Sequence, residues 1–156
     1  MRKTIISRES REEPKGGTKW LDLGSIASVE ISSEDPAQPI DAALQPVGAP
    51  GWRAAEPGPQ MVRILFDEPQ RLSRIYLLID EEQVPRTQEF VLRWSPDGKK
   101  FREIVRQQFT FSPPGTTIEQ EEYKVELTGV AVLELEIMPD VSGSAARASL
   151  GRLLLA

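Results

Sequence analysis

Hydrophobic residues recur at every second position through most of the chain. Val62, Ile64 and Phe66 are interleaved with Arg63 and Leu65, and Ile75, Leu77 and Ile79 with Tyr76 and Leu78. Phe90, Leu92 and Trp94 alternate with Glu89, Val91 and Arg93. The same spacing returns in Tyr123, Val125 and Leu127, and again in Leu133, Leu135 and Ile137. Successive side chains of a strand point to opposite faces, so each set predicts a strand with one buried side. Arg74 to Ile79 is apolar on both faces, which predicts a central strand whose second face is covered by a loop or by the N-terminal segment. Phe101, Ile104, Val105 and Phe109 slip phase, as a long strand with a bulge does. Leu150 to Leu155 predicts a final strand, also slightly out of phase.

Turn residues punctuate these runs. Asp67-Glu68-Pro69 and Ser95-Pro96-Asp97-Gly98 each predict the end of a strand, and Thr128-Gly129-Val130 predicts a compact hairpin connection. Glu34 to Pro59 is rich in proline and glycine and reads as loop, with one short helical turn over Pro39 to Leu44. No segment sustains a helical period and no internal repeat is visible. The expectation is an all-β fold, an antiparallel β-sandwich of the eight-stranded jelly-roll kind.

Met1 to Lys19 is polar, charged and without period, and is expected to be a mobile tail ahead of one domain over residues 20–156. The tail holds no continuous apolar stretch of the kind a secretory leader needs, and cysteine is absent from the chain. Together these give a cytoplasmic expectation. With 24 acidic and 19 basic residues the net charge is −5, which weighs against nucleic acid and anionic membranes as partners.

Histidine is absent too, so neither a Ser-His-Asp nor a Cys-His arrangement is available, and zinc sites of the usual nitrogen and sulfur type are excluded. No glycine-rich phosphate loop occurs. Glu134 and Glu136 alternate with core leucines and are assigned to the solvent face of their strand. Glu119, Glu121 and Glu122 read as a solvated loop and strand start, and Asp80-Glu81-Glu82 as a charged strand tip. The chain is therefore expected not to be an enzyme.

Four stretches resemble the discoidin family, the coagulation-factor type C or galactose-binding-like domains. They are Ile31-Ser32-Ser33 with Ile40-Asp41 and Gly51-Trp52; Met61 to Ile79; Glu89 to Phe101; and Ala131 to Asp140 with Ala148-Ser149-Leu150. The third is the most specific, and its Phe90-Val91-Leu92-Arg93-Trp94-Ser95-Pro96-Asp97-Gly98 is similar to the family's strand, turn and strand around an Asp-Gly. The resemblance implies a jelly roll that binds its ligand through loops at one end. It also implies a structural calcium near Asp41, but the acidic pattern is broken at Ala42-Ala43, and Arg152 stands where the family often has a glutamate. No cofactor is therefore expected.

The expected ligand-binding residues are Trp52, Arg53, Arg86, Gln88 and Phe111, carried on loops that the family fold makes neighbours together with Ser112 to Thr117. For Trp52 and Phe111 a place in the core competes with that role, and for Arg86 an ion pair with Glu82 or Glu89. Two functions remain open. One is a non-catalytic module recognising carbohydrate or another small ligand. The other is a cytoplasmic scaffold binding a protein partner.

Overall fold

The computed structural model describes residues 19–47 and 50–156, so the tail expected over Met1 to Lys19 lies almost wholly outside the described residues. Of the described residues 62% are strand and 6% helix, which agrees with the all-β expectation, and the sheets are antiparallel and open. The elements run α1 (Leu23–Ile26), β1 (Ala27–Ile31), α2 (Ile40–Ala43), β2 (Trp52–Pro57), β3 (Gln60–Asp80), β4 (Arg86–Ser95), β5 (Arg102–Phe111), β6 (Ile118–Met138), β7 (Arg147–Leu150) and β8 (Arg152–Leu155). The main sheet has the order β1-β3-β6-β4-β5, with β8 also on β3, and β2 pairs with β7 in a separate ladder.

The principal departure from the sequence reading concerns β3 and β6. Asp67-Glu68-Pro69 does not end a strand, and Thr128-Gly129-Val130 is not a hairpin. Each lies inside one 21-residue strand. The two long strands pair with each other from Gln60↔Ile137 to Asp80↔Ile118, and their register shifts between Leu65 and Arg74. Extra residues on one strand bend the ladder and change the phase of its side chains, which in the sequence looks like a chain reversal. Pro69 sits in the bulge, where its missing N–H is not needed. Gly129 supplies the left-handed backbone there, at φ 72°.

The bend lets both halves of each long strand face one core. Val62, Ile64 and Phe66 from the first half of β3 cluster with Leu72, Ile75, Leu77 and Ile79 from the second, and with Phe90, Leu92, Leu133, Leu135 and Ile137. Each such side chain taken out of water contributes about 1.5–3 kcal/mol before its ordering entropy is counted. The second face of β3 is covered as expected. Tyr76 is buried with the Trp20 ring 6.2 Å away, and β3 lies between β6 and its other neighbours, β1 and β8. The Asp97 carboxylate closes the β4–β5 turn by accepting from the backbone N–H of Lys99 (2.8 Å) and Lys100 (3.0 Å). The bulge expected near Ile104 appears as a register shift opposite Leu92 and Arg93.

The closing segment is two strands rather than one. β7 pairs with β2 and β8 with β3, and Gly151 between them donates its N–H to the Leu78 carbonyl at 2.7 Å. Gly51 packs on this junction. Its φ is 121°, and a Cβ there would stand 2.5 Å from the Leu150 oxygen and 2.8 Å from the Gly151 Cα. Backbone meets backbone, so no flexible side chain can yield. Gly51→Ala is expected to cost at least about 1–3 kcal/mol, the usual cost of a strained backbone, seen as a lower urea midpoint. An unchanged midpoint would show that the junction is loose.

Candidate functional site

A cavity of about 260 Å³ opens at one end of the sandwich, lined by Gln38, Pro50, Trp52, Arg53, Asp80, Glu81, Glu82, Gln83, Ser149, Leu150 and Gly151. Three chain segments build it. The start of β2 brings Arg53, whose N–H donates to the Gln38 carbonyl at 3.1 Å. The turn after β3 brings Glu81 to Gln83, and the end of β7 brings Ser149 and Leu150. The Ser112–Thr117 turn lies against the same end, with the Glu81 N–H donating to the Thr117 carbonyl at 2.8 Å. The expected juxtaposition of loops is thus present.

The expected ligand residues nevertheless divide into a surface and a layer beneath it. Arg53 is half-buried on the cavity wall, and its guanidinium makes no hydrogen bond or ion pair among the described residues. Trp52 is 1% exposed and its Nε1 donates to the Ser33 carbonyl at 3.0 Å, so the indole forms floor rather than an open stacking plate. Arg86, Gln88 and Phe111 are all buried. Arg86 pairs with neither Glu82 nor Glu89. Its Nε donates to Glu81 Oε1 at 2.9 Å, and its Nη1 to Gln88 Oε1 at 3.1 Å and to the Pro139 carbonyl at 2.6 Å. The guanidinium also lies 4.9 Å from the Phe111 ring centroid. Gln88 passes the network on by donating from Nε2 to Glu119 Oε1 at 2.9 Å.

Two acidic assignments are corrected here. Glu81 belongs to the charged tip in sequence but is buried, because the turn folds its side chain inward onto Arg86. Burial alone would raise its carboxyl, but the N–H of Gln83, the Arg86 guanidinium and the N–H of Val84 outweigh that and hold it below the ordinary value. Glu119 is not solvated either, being 1% exposed on the core side of β6. Burial, then a shared hydrogen bond with Glu121, pushes its carboxyl up to about 8. Burial also pulls Arg86 below its ordinary value against the opposing pull of Glu81, and a guanidinium stays charged regardless.

Glu134 is likewise 5% exposed, although it does lie on the outer face of β6. It is held by Arg63 Nη2 at 2.7 Å and Arg93 Nη1 at 3.1 Å, and Arg93 also reaches Glu136 at 2.9 Å. The arginine stems, together with Phe101 5.8 Å from the Arg63 guanidinium carbon, cover this part of the face. Both carboxylates are thereby committed to structural ion pairs.

Near Asp41 the residues do not fit a bound divalent cation. Asp41 is exposed, and no three metal-ligating side chains come together among the described residues. Arg152 instead donates from Nη1 to the Ala42 carbonyl at 3.1 Å. A guanidinium brings a positive charge and no lone pair to the place where calcium would require oxygen ligands.

Fold and site geometry together define an antiparallel β-sandwich with a polar cavity at its loop end. Solved carbohydrate-binding modules share this fold. One is the family 32 module from NanJ of C. perfringens in complex with galactose, at TM-score 0.62 and 10% identity over 87% of this chain and 96% of that one. The family 32 module of AlyQ in complex with 4,5-unsaturated mannuronic acid superposes at TM-score 0.63 and 15% identity, over 89% and 98%. A pectin-binding module does so at 0.58 and 17%, over 83% and 89%. No protein-family model and no curated protein sequence matches the chain.

Two substitutions test the buried layer. Arg86→Met leaves Glu81 buried without its partner and is expected to cost about 3–5 kcal/mol. A variant as stable as the parent in urea would remove Arg86 from the network. For Glu119 the folded value near 8 lies above the ordinary 4.5. Its stabilising contribution is therefore complete at acid pH and is lost as pH rises towards and through 8. Thermal midpoints should show Glu119→Gln flattening that decline, gaining on the parent from about pH 4.5 to about 8 and running parallel to it above. Profiles that stay parallel across that range would contradict the assignment.

Proposed function

We propose that this domain is a non-catalytic carbohydrate-binding module whose ligand enters the loop-end cavity beside Arg53. The cavity is the observation that carries the proposal. Its volume, about 260 Å³, lies just under the lower end of the roughly 300–1,000 Å³ usual for small-ligand sites. That suits a single sugar ring or the end of a glycan chain better than a long oligosaccharide. Gln38, Gln83 and Ser149 offer neutral donors and acceptors, Glu82 an acceptor, and Arg53 a forked donor that matches a pair of sugar oxygens. The shared fold with modules solved in complex with galactose and with an unsaturated mannuronic acid supports the same reading. The Arg63, Arg93, Glu134 and Glu136 ion pairs support a non-catalytic role, because they hold this pair of carboxylates on one strand face in structural contacts and do not leave them as a free acid and base.

The test is a glycan array carrying neutral sugars and uronates, followed by calorimetry on any sugar retained. Binding should be competed by the free sugar. Arg53→Ala should weaken it at least tenfold while moving the thermal midpoint by no more than a few degrees, since a half-buried arginine with no ion pair among the described residues contributes little to stability. An array without binding would reject the carbohydrate reading. Binding unchanged by Arg53→Ala would reject the cavity as the site.

A further inference from the structure

The loop that the resemblance would brace with a calcium ion is braced here by a side chain. Arg152 opens β8, where its backbone pairs with Leu78 of β3. Its Nη1 donates to the carbonyl of Ala42, in α2, at 3.1 Å and to that of Gly151 at 2.7 Å. Ala42 belongs to the loop that leads from Gln38 towards Pro50, and Gly151 lies at the β7–β8 junction. All three of these flanking residues, Gln38, Pro50 and Gly151, line the cavity.

We propose that Arg152 is a built-in cation, a positioning residue whose guanidinium replaces a divalent ion in tying the α2 loop to the closing strands and so fixes one wall of the cavity. Carbonyl oxygens turned towards one point need a positive partner when partly withdrawn from water. Calcium satisfies such oxygens with six to eight ligands at about 2.3–2.6 Å. A guanidinium does so with a planar fan of N–H donors at hydrogen-bond distance, and the contacts of 2.7 and 3.1 Å are of that second kind. The exchange has a definite physical consequence. An ion leaves when chelated, whereas an arginine is covalently tethered and keeps its charge at any pH the fold survives. The bracing holds whether or not the cavity takes carbohydrate.

The test uses the full chain with calcium alone as the probe. Thermal midpoints are measured in excess calcium chloride and in chelator for the parent and for Arg152→Met, Arg152→Lys and Arg152→Glu. The parent midpoint should be the same in both, because only binding to the native state raises it. Arg152→Met, which keeps an apolar stem but no charge, should fall by several degrees in both, and Arg152→Lys should regain part of that loss. Arg152→Glu should fall furthest in chelator and recover in calcium, since it puts a carboxylate beside the Ala42 and Gly151 carbonyls. Three results would each overturn the proposal: a parent midpoint that rises with calcium, an Arg152→Met variant as stable as the parent, or an Arg152→Glu variant with no larger calcium response than Arg152→Met. Should Arg152→Glu fail to fold, amide exchange in Arg152→Met decides. Faster exchange confined to residues 40–44 supports the brace, and unchanged exchange there removes it.

Discussion

The pairing of β3 with β6 along their whole length is the constraint on which the rest of this structure hangs. It runs from Gln60↔Ile137 to Asp80↔Ile118 through one shared bend. β1 and β8 take successive parts of the free edge of β3, and β4 takes the second half of β6. The position of the cavity follows from this register. Where the ladder ends at Asp80 and Ile118, the turn after β3 and the turn before β6 emerge side by side. They are joined by the Glu81 N–H to the Thr117 carbonyl at 2.8 Å. β7 then returns the chain to that end and holds Arg53 opposite Ser149. A slip of one residue in β3 would turn Ile75, Leu77 and Ile79 outward and pull the site apart.

The local rules of strands made the faces of this fold legible in the sequence, but not its continuity. Alternation found the core sides of β3, β4 and β6, and Ser95-Pro96-Asp97-Gly98 announced a turn that the Asp97 carboxylate does close. Those same rules misplaced the ends. Asp67-Glu68-Pro69 and Gly129 have the composition of chain reversals, but a bulge shared by two long strands needs the same residues. Only the partner strand distinguishes the two, and no sequence window contains it. At the cavity, Trp52 and Arg53 are the only expected ligand residues on the lining, and the other expected side chains lie beneath it. Phe111 and Arg86 lie opposite each other at the edge of β4 and β5, and their parity points them into the core. Gln38, Gln83 and Ser149 carried no signal at all, because small polar loop residues look alike until the cavity between them exists.

Acidic residues were the hardest to place for a related reason. Alternation assigns a charged side chain to solvent because burying a lone charge is costly. That inference fails once a partner travels with it. Glu81 goes inside with Arg86, Glu134 settles under two arginines, and Glu119 enters the core by holding its proton. The compensating group is Arg86 five residues on for Glu81, two arginines from other strands for Glu134 and the solvent proton for Glu119, so charge alone in a sequence window gives the wrong side.

This buried layer also bears on the proposal that Arg53, and not Arg86, meets a ligand. Arg86 commits its Nε and Nη1 to Glu81, Gln88 and the Pro139 carbonyl beneath the cavity, where breaking those bonds costs more than a weak ligand could return. Arg53 lies close enough to lower the Arg86 proton affinity, so the two guanidiniums repel. Glu81 already serves Arg86 and the turn amides, and offers little to offset that repulsion from the cavity side. An arginine kept at a wall by packing and backbone bonds, beside a like charge and without a partner of its own, gains more than an ordinary surface arginine from any ligand oxygen that reaches it. On the proposed reading the rigid network beneath would act on binding indirectly, by fixing the floor and by leaving the Arg53 guanidinium without a partner among the described residues.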